Sequence, residues 1–460
     1  MISAQELIER ITASAPFNDC VVTVTDSTQA NLRWANSTLT TNGVIANRSV
    51  TVIAFIEMDG GMAAGSVTRT DVELHEIEAV IKEAGEAARS AGKAEDFAPL
   101  ATNLSRGPWN DQHHPTGPEA FSAIAPDLGQ MFAASVKDGI ELFGYAEHTH
   151  KTTWLGSKGG LRLRFDQPAG RVEMTGKSHQ RSRSTWHGVA TRDFKDVSIP
   201  KVDEQIRKRL EWQARKIALP AGRYDTLFPS GSISDLVTYM LWTASGRDAH
   251  EGRSPFSKPG GGTRIGEKFS NQSSHLFSDP SYKGLESIDF TVAGASSEFT
   301  SVFDNGQKVG KTEWISGGNL KNLVTTRASS AMTSLPHAPM GDNLILSVDG
   351  GSGSFDDLAK SMERGLLITT LWYIRMVDPQ TLLLTGLTRD GIYLVEGGEV
   401  QGAVNNFRWN DSPLNILNNI VKAGATEITQ PREWADYVDR VAMPPMIIKD
   451  FNMSTVSEAN

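Results

Sequence analysis

The chain is expected to be an α+β protein of several domains: a small α/β N-terminal domain, a middle α+β domain and a β-rich C-terminal domain. Three observations lead there. Its 460 residues exceed what one ordinary hydrophobic core organises, so two or three domains are the prior. Helix-period apolar patterns close off two blocks in the first half. From Arg223 onward the chain is mostly β-branched and aromatic runs separated by turns.

Taken in order, residues 1–14 (MISAQELIERITAS) place Glu6 and Glu9 among apolar residues, which predicts an amphipathic helix and no signal peptide. Residues 21–25 and 32–34 alternate like strands. Residues 50–57 and 62–68 flank Asp59-Gly60-Gly61, a good hairpin signal. A helix with Asp71 as its N-cap is expected to run through Ile77, Val80, Ile81, Ala84, Ala87 and Ala88. This first domain is placed at 1–92. Residues 93–118 hold Pro99, Pro108, Pro115 and Pro118 and read as a linker or extended strap. The middle domain, 119–219, starts with a helix over 119–138. Short strands follow at 141–151, 153–155, 161–165 and 172–178, and a helix over 201–218 with Val202, Ile206, Leu210 and Ile217 on one face closes it. The C-terminal domain, 220–460, carries helices near 233–245, 356–362 and 414–421 among its strands.

Hydrophobic residues at 39% supply enough apolar material to fold without staples, and the single Cys20 excludes an intramolecular disulfide framework; a cytoplasmic setting is the expectation. No apolar run reaches the roughly 18 residues of a membrane helix. A net charge of −9 and the lack of a helix-turn-helix or a basic-aromatic motif argue against nucleic acid as a partner. Basic residues nonetheless crowd 158–216, including Arg162, Arg164, Arg171, Lys201, Arg207, Lys208 and Arg209. Such a stretch is either a solvated face or a docking surface for an acidic subunit or peptide.

Several motifs bear on chemistry. His75-Glu76 lacks a second histidine one helical turn on, so it reads as surface helix. His148 and His150 form an H-x-H pair, which on a strand presents both imidazoles to one face; two metal ligands are available there, with no third evident in the sequence. His250-Glu251 lies in a polar loop with Arg247, Asp248 and Arg253, a set suited to contacting a peptide. The glycine clusters at 260–262 and 350–353 fit neither a phosphate loop nor a dinucleotide fingerprint and read as turns.

Two segments carry a resemblance. Residues 363–412, ERGLLITTLWYIRMVDPQTLLLTGLTRDGIYLVEGGEVQGAVNNFRWNDS, and residues 234–257, SDLVTYMLWTASGRDAHEGRSPFS, resemble the C-terminal domain of the TldD/TldE (PmbA) family of metalloproteases, also called modulators of DNA gyrase. The resemblance implies an active site in the β-rich domain of metal-bearing members. There a helix carries His-Glu-x-x-x-His and a cysteine toward the C-terminus adds a third zinc ligand. Laid ungapped on this chain, the signature falls on Val237, Thr238 and Trp242, and Met443-Pro444-Pro445-Met446 stands in the cysteine's region. None of these replaces an imidazole, thiolate or carboxylate donor.

The chain therefore resembles the TldE/PmbA type. The resemblance implies a subunit with no metal or catalytic residue of its own, completing a peptide-holding cavity with a zinc-bearing TldD-type partner. Unfolded or modified peptides are the implied substrate, no membrane is involved, and a homodimer is the alternative in isolation. Arg247, Asp248, His250, Glu251 and Arg253 are the expected substrate contacts. Two other readings remain open: a stand-alone hydrolase using His148/His150 or His250/Glu251, and a non-enzymatic binding protein that modulates gyrase.

Overall fold

A computed structural model describes residues 2–458. The N-terminal helix α1 (Ala4–Ser14) is amphipathic and capped by the Ser3 hydroxyl, as its sequence requires. Strands β1 (Asp19–Ala35), β2 (Thr38–Met58) and β3 (Gly61–Thr70) follow as a meander, with the β2–β3 turn at Gly60 in the left-handed region that glycine favours. Helix α2 (Ile77–Ala91) starts later than expected. Asp71 is not its cap; a short 3-10 turn closed by a Glu73/Glu76 capping box leads into it.

The strap at 93–118 holds the two-residue β4 (Ser105–Arg106), and α3 (Ala125–Lys137) comes after a 3-10 turn at Pro118–Phe121. Strands β5 (Glu141–Ser157), β6 (Arg162–Ser178) and β7 (Arg183–Thr191) and helix α4 (Ile199–Trp212) complete the first half. The segments expected as separate strands at 21–25 and 32–34 are one strand, as are 141–151 with 153–155, and 161–165 with 172–178. Their polar middles look like breaks in the sequence. The strap covers those middles, and the paired ladders continue beneath it.

The first sheet runs β3-β2-β1-β5-β6, with β4 and β7 both added to β6. Because β1 pairs with β5, residues on both sides of the strap share this sheet. Alternation along β1 places Cys20, Val22 and Val24 on the face where α1 and α2 pack, and Ala30 and Trp34 on the same face farther along, under α3 and α4. The opposite face, with Val21, Phe55, Leu155 and Leu163, packs on Phe290, Val302 and Phe303 of the second half.

The second half opens with β8 (Lys216–Ile217) and β9 (Gly222–Phe228). It contains a nine-stranded sheet around the long antiparallel pair Arg364–Asp378 and Leu383–Glu396, and a six-stranded sheet containing Ser274–Ser278 and Ile345–Val348. Between them lies α5 (Ser230–Leu241). Ile233, Leu236, Val237 and Met240 are buried in the largest core, which joins Leu276, Trp314 and Leu346 to Leu366, Ile368 and Ile448. The helix is buried along most of its surface, and Ser232, Ser234, Asp235 and Thr238 are buried beside its apolar residues. The chain is thus α+β with a β-rich second half.

Candidate functional site

The expected substrate loop is an exposed, self-neutralising cluster. Ser245 caps the short α6 (Gly246–His250) by accepting from the Asp248 amide. Arg247 donates to Glu251 at 3.0 Å and reaches Glu95 at 3.5 Å, while Arg253 pairs with both Asp248 and Glu251. The ion pairs hold the Glu251 carboxyl below its ordinary range, through Arg247 first. His250 is exposed beside them. The sequence therefore brought together residues that do meet, on the surface and outside the large cavity described below.

His148 and His150 do share a face of β5, beneath the strap. Both ring nitrogens of His148 are engaged: Nε2 donates to the Arg192 carbonyl at 2.9 Å, and Nδ1 accepts from the Thr116 hydroxyl at 2.6 Å. Strap residue His113 bridges Thr28 and Thr152, and its ring lies 5.4 Å from that of His150. Burial pushes the pKa of all three histidines down. His148, bonded at both nitrogens, and His113 thus anchor the strap across the sheet, while His150 contributes a ring contact and its buried Nδ1 has no hydrogen-bond partner among the described residues. His187 stands apart on β7, at the large cavity.

Helix α5 occupies the place where the resemblance puts a zinc signature. Val237 and Thr238 are buried in its hydrocarbon surroundings, and Trp242, beyond its last turn, is partly exposed in a cluster with Tyr239, Trp434 and Tyr437. Cys20 is buried in the first sheet, its thiol pushed up to about 12 by burial. Among the described residues, no three His, Cys, Asp or Glu side chains stand together as a metal set. The donor chemistry at α5 does not fit zinc.

The helix does carry one buried acid. Asp235 is fully buried; its Oδ1 accepts from the Glu433 amide, its carbonyl accepts from the Trp434 indole, and its Oδ2 has no partner among the described residues. Burial raises its pKa well above the ordinary carboxylate value.

A cavity of about 500 Å³ opens where β7, α4 and the start of α5 meet the strand Glu427–Thr429. Its size is in the usual range for a ligand site. Trp186 and His187 come from β7, Gln205 and Arg209 from α4, and Ser230 and Gly231 from α5. Arg432 is held at its edge by Asp390 at 2.7 Å, with Trp186 and Trp372 stacked 4.4 and 4.9 Å from its guanidinium. His187 keeps some accessible surface along the wall, yet the protein packed around it dominates: burial first, then Arg209, pushes its pKa down to about 3. Arg209 Nε and Gln430 Oε1, both at buried residues of the wall, have no hydrogen-bond partner among the described residues. Sequence reasoning missed this site. Its one signal was the basic stretch 158–216, many of whose cations are taken up in ion pairs such as Arg162–Glu9, Arg164–Asp166 and Arg207–Asp203.

A chain built this way, with a shared antiparallel sheet in its first half and two sheets enclosing one buried helix in its second, has solved counterparts. It is similar to TldE from Thermococcus kodakarensis, with a TM-score of 0.76, 15% identity, and coverage of 97% of this chain and 99% of that one. It is also similar to two structures described as candidate modulators of DNA gyrase. The one from Thermotoga maritima has a TM-score of 0.74, 16% identity and coverage of 97% and 99%. The one from Bacteroides thetaiotaomicron has a TM-score of 0.74, 12% identity and coverage of 99% and 100%. At these identities the likeness is one of fold. No curated protein matches the chain. The PmbA/TldA metallopeptidase C-terminal domain matches residues 221–455, half of the chain. The chain belongs to the PmbA/TldD family.

Proposed function

We propose that this chain is a TldE-type subunit: it holds peptide for a zinc-bearing TldD-type partner and contributes no metal ligand itself. The observation that carries the reading is α5. The helix is intact and central in the β-rich half, but Val237, Thr238 and Trp242 stand where the signature of metal-bearing members falls. A family fold kept around a helix with no donors at the signature positions is suited to shaping a cavity and holding an extended chain, through strand edges and the cavity at β7 and α4. The exposed cluster at Arg247–Arg253 is the candidate outer contact for the peptide or the partner.

The test is reconstitution. The chain alone is expected to leave peptides intact, and mixing it with a TldD-type chain is expected to give chelator-sensitive cleavage. Elemental analysis of the single chain, after dialysis against a weak chelator, is expected to find no stoichiometric zinc. About one tightly held Zn²⁺ per chain, or proteolysis by the single chain that chelators leave untouched, would sink the assignment.

A further inference from the structure

The cavity contains a buried cation with no ion-pair partner in contact with it among the described residues; the acid acting on it, Asp356, already holds Lys208. Arg209 is 7% exposed, one guanidinium nitrogen donates to the Trp186 carbonyl at 2.8 Å, and Nε has no partner among the described residues. Two other cations nearby are matched, Lys208 by Asp356 at 2.8 Å and Arg432 by Asp390, while Lys201 lies at the exposed rim. An uncompensated buried charge is unfavourable, and removing it from water is repaid only by an anion in contact with it. Helical spacing explains how Arg209 reaches the wall. Lys201, Gln205 and Arg209 recur at four-residue intervals on the cavity face of α4, while Val202, Ile206 and Leu210 on the neighbouring stripe pack in the core.

The N-terminus of α5 also lines the cavity; the Ser232 and Ile233 amides bond the Pro229 carbonyl, which leaves those of Ser230 and Gly231 without a partner within the helix, and the helix dipole favours negative charge there. Gly231 belongs there because a Cβ would lie 3.0 Å from the Gln430 carbonyl. Thr369 adds a buried hydroxyl beside the Tyr393 phenol. Val189, Phe355 and Ile428 supply an apolar wall beside these groups.

The geometry points to a carboxylate subsite: the cavity receives one carboxylate of a peptide on Arg209 and the α5 amides, with the adjoining residues on the apolar wall. A monoanion fits better than phosphate. Glu427, which accepts from the Ser230 hydroxyl at 2.6 Å, and Asp356 border the same cavity and would repel a dianion. The inference rests on the peptide-holding reading and names the part of the peptide that is held.

The test uses the full-length single chain and fluorescence polarisation of labelled tetra-alanine in three forms: free acid, C-terminal amide, and amide with one Glu in place of an alanine. The free acid is expected to bind at least about tenfold tighter than the plain amide, the scale of one charge-assisted hydrogen bond. If the Glu-bearing amide binds like the free acid, the carboxylate comes from a side chain; if it binds like the plain amide, it comes from the C-terminus. Both uphold the subsite.

Arg209→Gln is expected to erase the preference without lowering the melting temperature, and Arg209→Lys to retain part of it. If Arg209→Gln fails to fold, Lys201→Gln at the exposed rim decides. A loss of about two- to fivefold in free-acid affinity supports the subsite, and no change overturns it. Equal binding of acid and amide, no binding of any form, a preference that survives in folded Arg209→Gln, or inorganic phosphate competing better than acetate each overturns it. A reconstituted pair that cleaves peptide while this chain shows no carboxylate preference removes the subsite and leaves the subunit assignment standing.

Discussion

Arg432 is expected to be the most sensitive single position joining the two halves of the molecule. Its guanidinium is sandwiched between Trp186 of the first sheet and Trp372 of the second half, and it pairs with Asp390, which also accepts from Ser184 at 3.3 Å. The two side chains of the pair are only 12% and 9% exposed. Arg432→Met keeps much of the apolar contact but removes both cation–π interactions and strands a buried carboxylate. Arg389, at 3.8 Å and largely exposed, compensates little. Breaking such a pair from one side costs about 3–5 kcal/mol, of which the two ring contacts account for about 1–2 kcal/mol. Asp390 sits at φ 57°, a conformation asparagine accepts readily, so Asp390→Asn introduces no backbone strain. The double variant, with neither charge, is expected to return to within about 2 kcal/mol of the parent. Urea unfolding of the parent, both single variants and the double, compared by midpoint at constant slope, provides the measurement. If Arg432→Met costs less than about 1 kcal/mol, or the double variant is no more stable than it, the pair is not the clamp described.

Three further outcomes are expected. Gly65→Ala should destabilise by about 1–3 kcal/mol in the same assay, since a Cβ there would lie 2.0 Å from the Ala88 amide nitrogen and push α2 off β3; an unchanged midpoint contradicts that close approach. Trp242→Ala should cost about 1–2 kcal/mol, less than a fully buried Trp, because it is partly exposed; His250→Ala and Glu251→Ala should leave the melting temperature where it is and lower cleavage by the reconstituted pair if the loop touches peptide. Asp235→Asn should become increasingly stabilising as pH rises. The buried carboxyl's pKa is raised, so the parent loses stability as pH climbs above the unfolded value of 3.8 toward the folded one, whereas the amide does not titrate; melting curves whose difference is flat with pH refute this. Glu433 adds to that rise, while Arg432 and the Glu433 and Trp434 backbone amides oppose it.

The sequence by itself determined whatever depends on near neighbours. Helical spacing in Ile77–Ala88 and in Val202–Leu210, the glycine turn at Gly60, and the β-branched runs of 364–378 and 383–396 are local signals, and each is answered by an element in the structure. The residues at Val237, Thr238 and Trp242 are legible as non-ligands from chemistry alone. Only the tertiary structure decided that β1, β5 and β6 run unbroken through polar middles, because the strap groups that satisfy Thr28, His148 and Thr152 lie dozens of residues away. It also decided the fate of the basic stretch. Arg207 and Arg209 are two residues apart in one helix, yet Arg207 finds Asp203 and Asp138, while Arg209 turns to a cavity wall that β7, α5 and Gln430 complete. The Arg207–Asp203 pair is an i,i+4 contact that the helix itself encodes, but Asp138 and the cavity wall are brought up by distant segments, and no pattern within one helix encodes those.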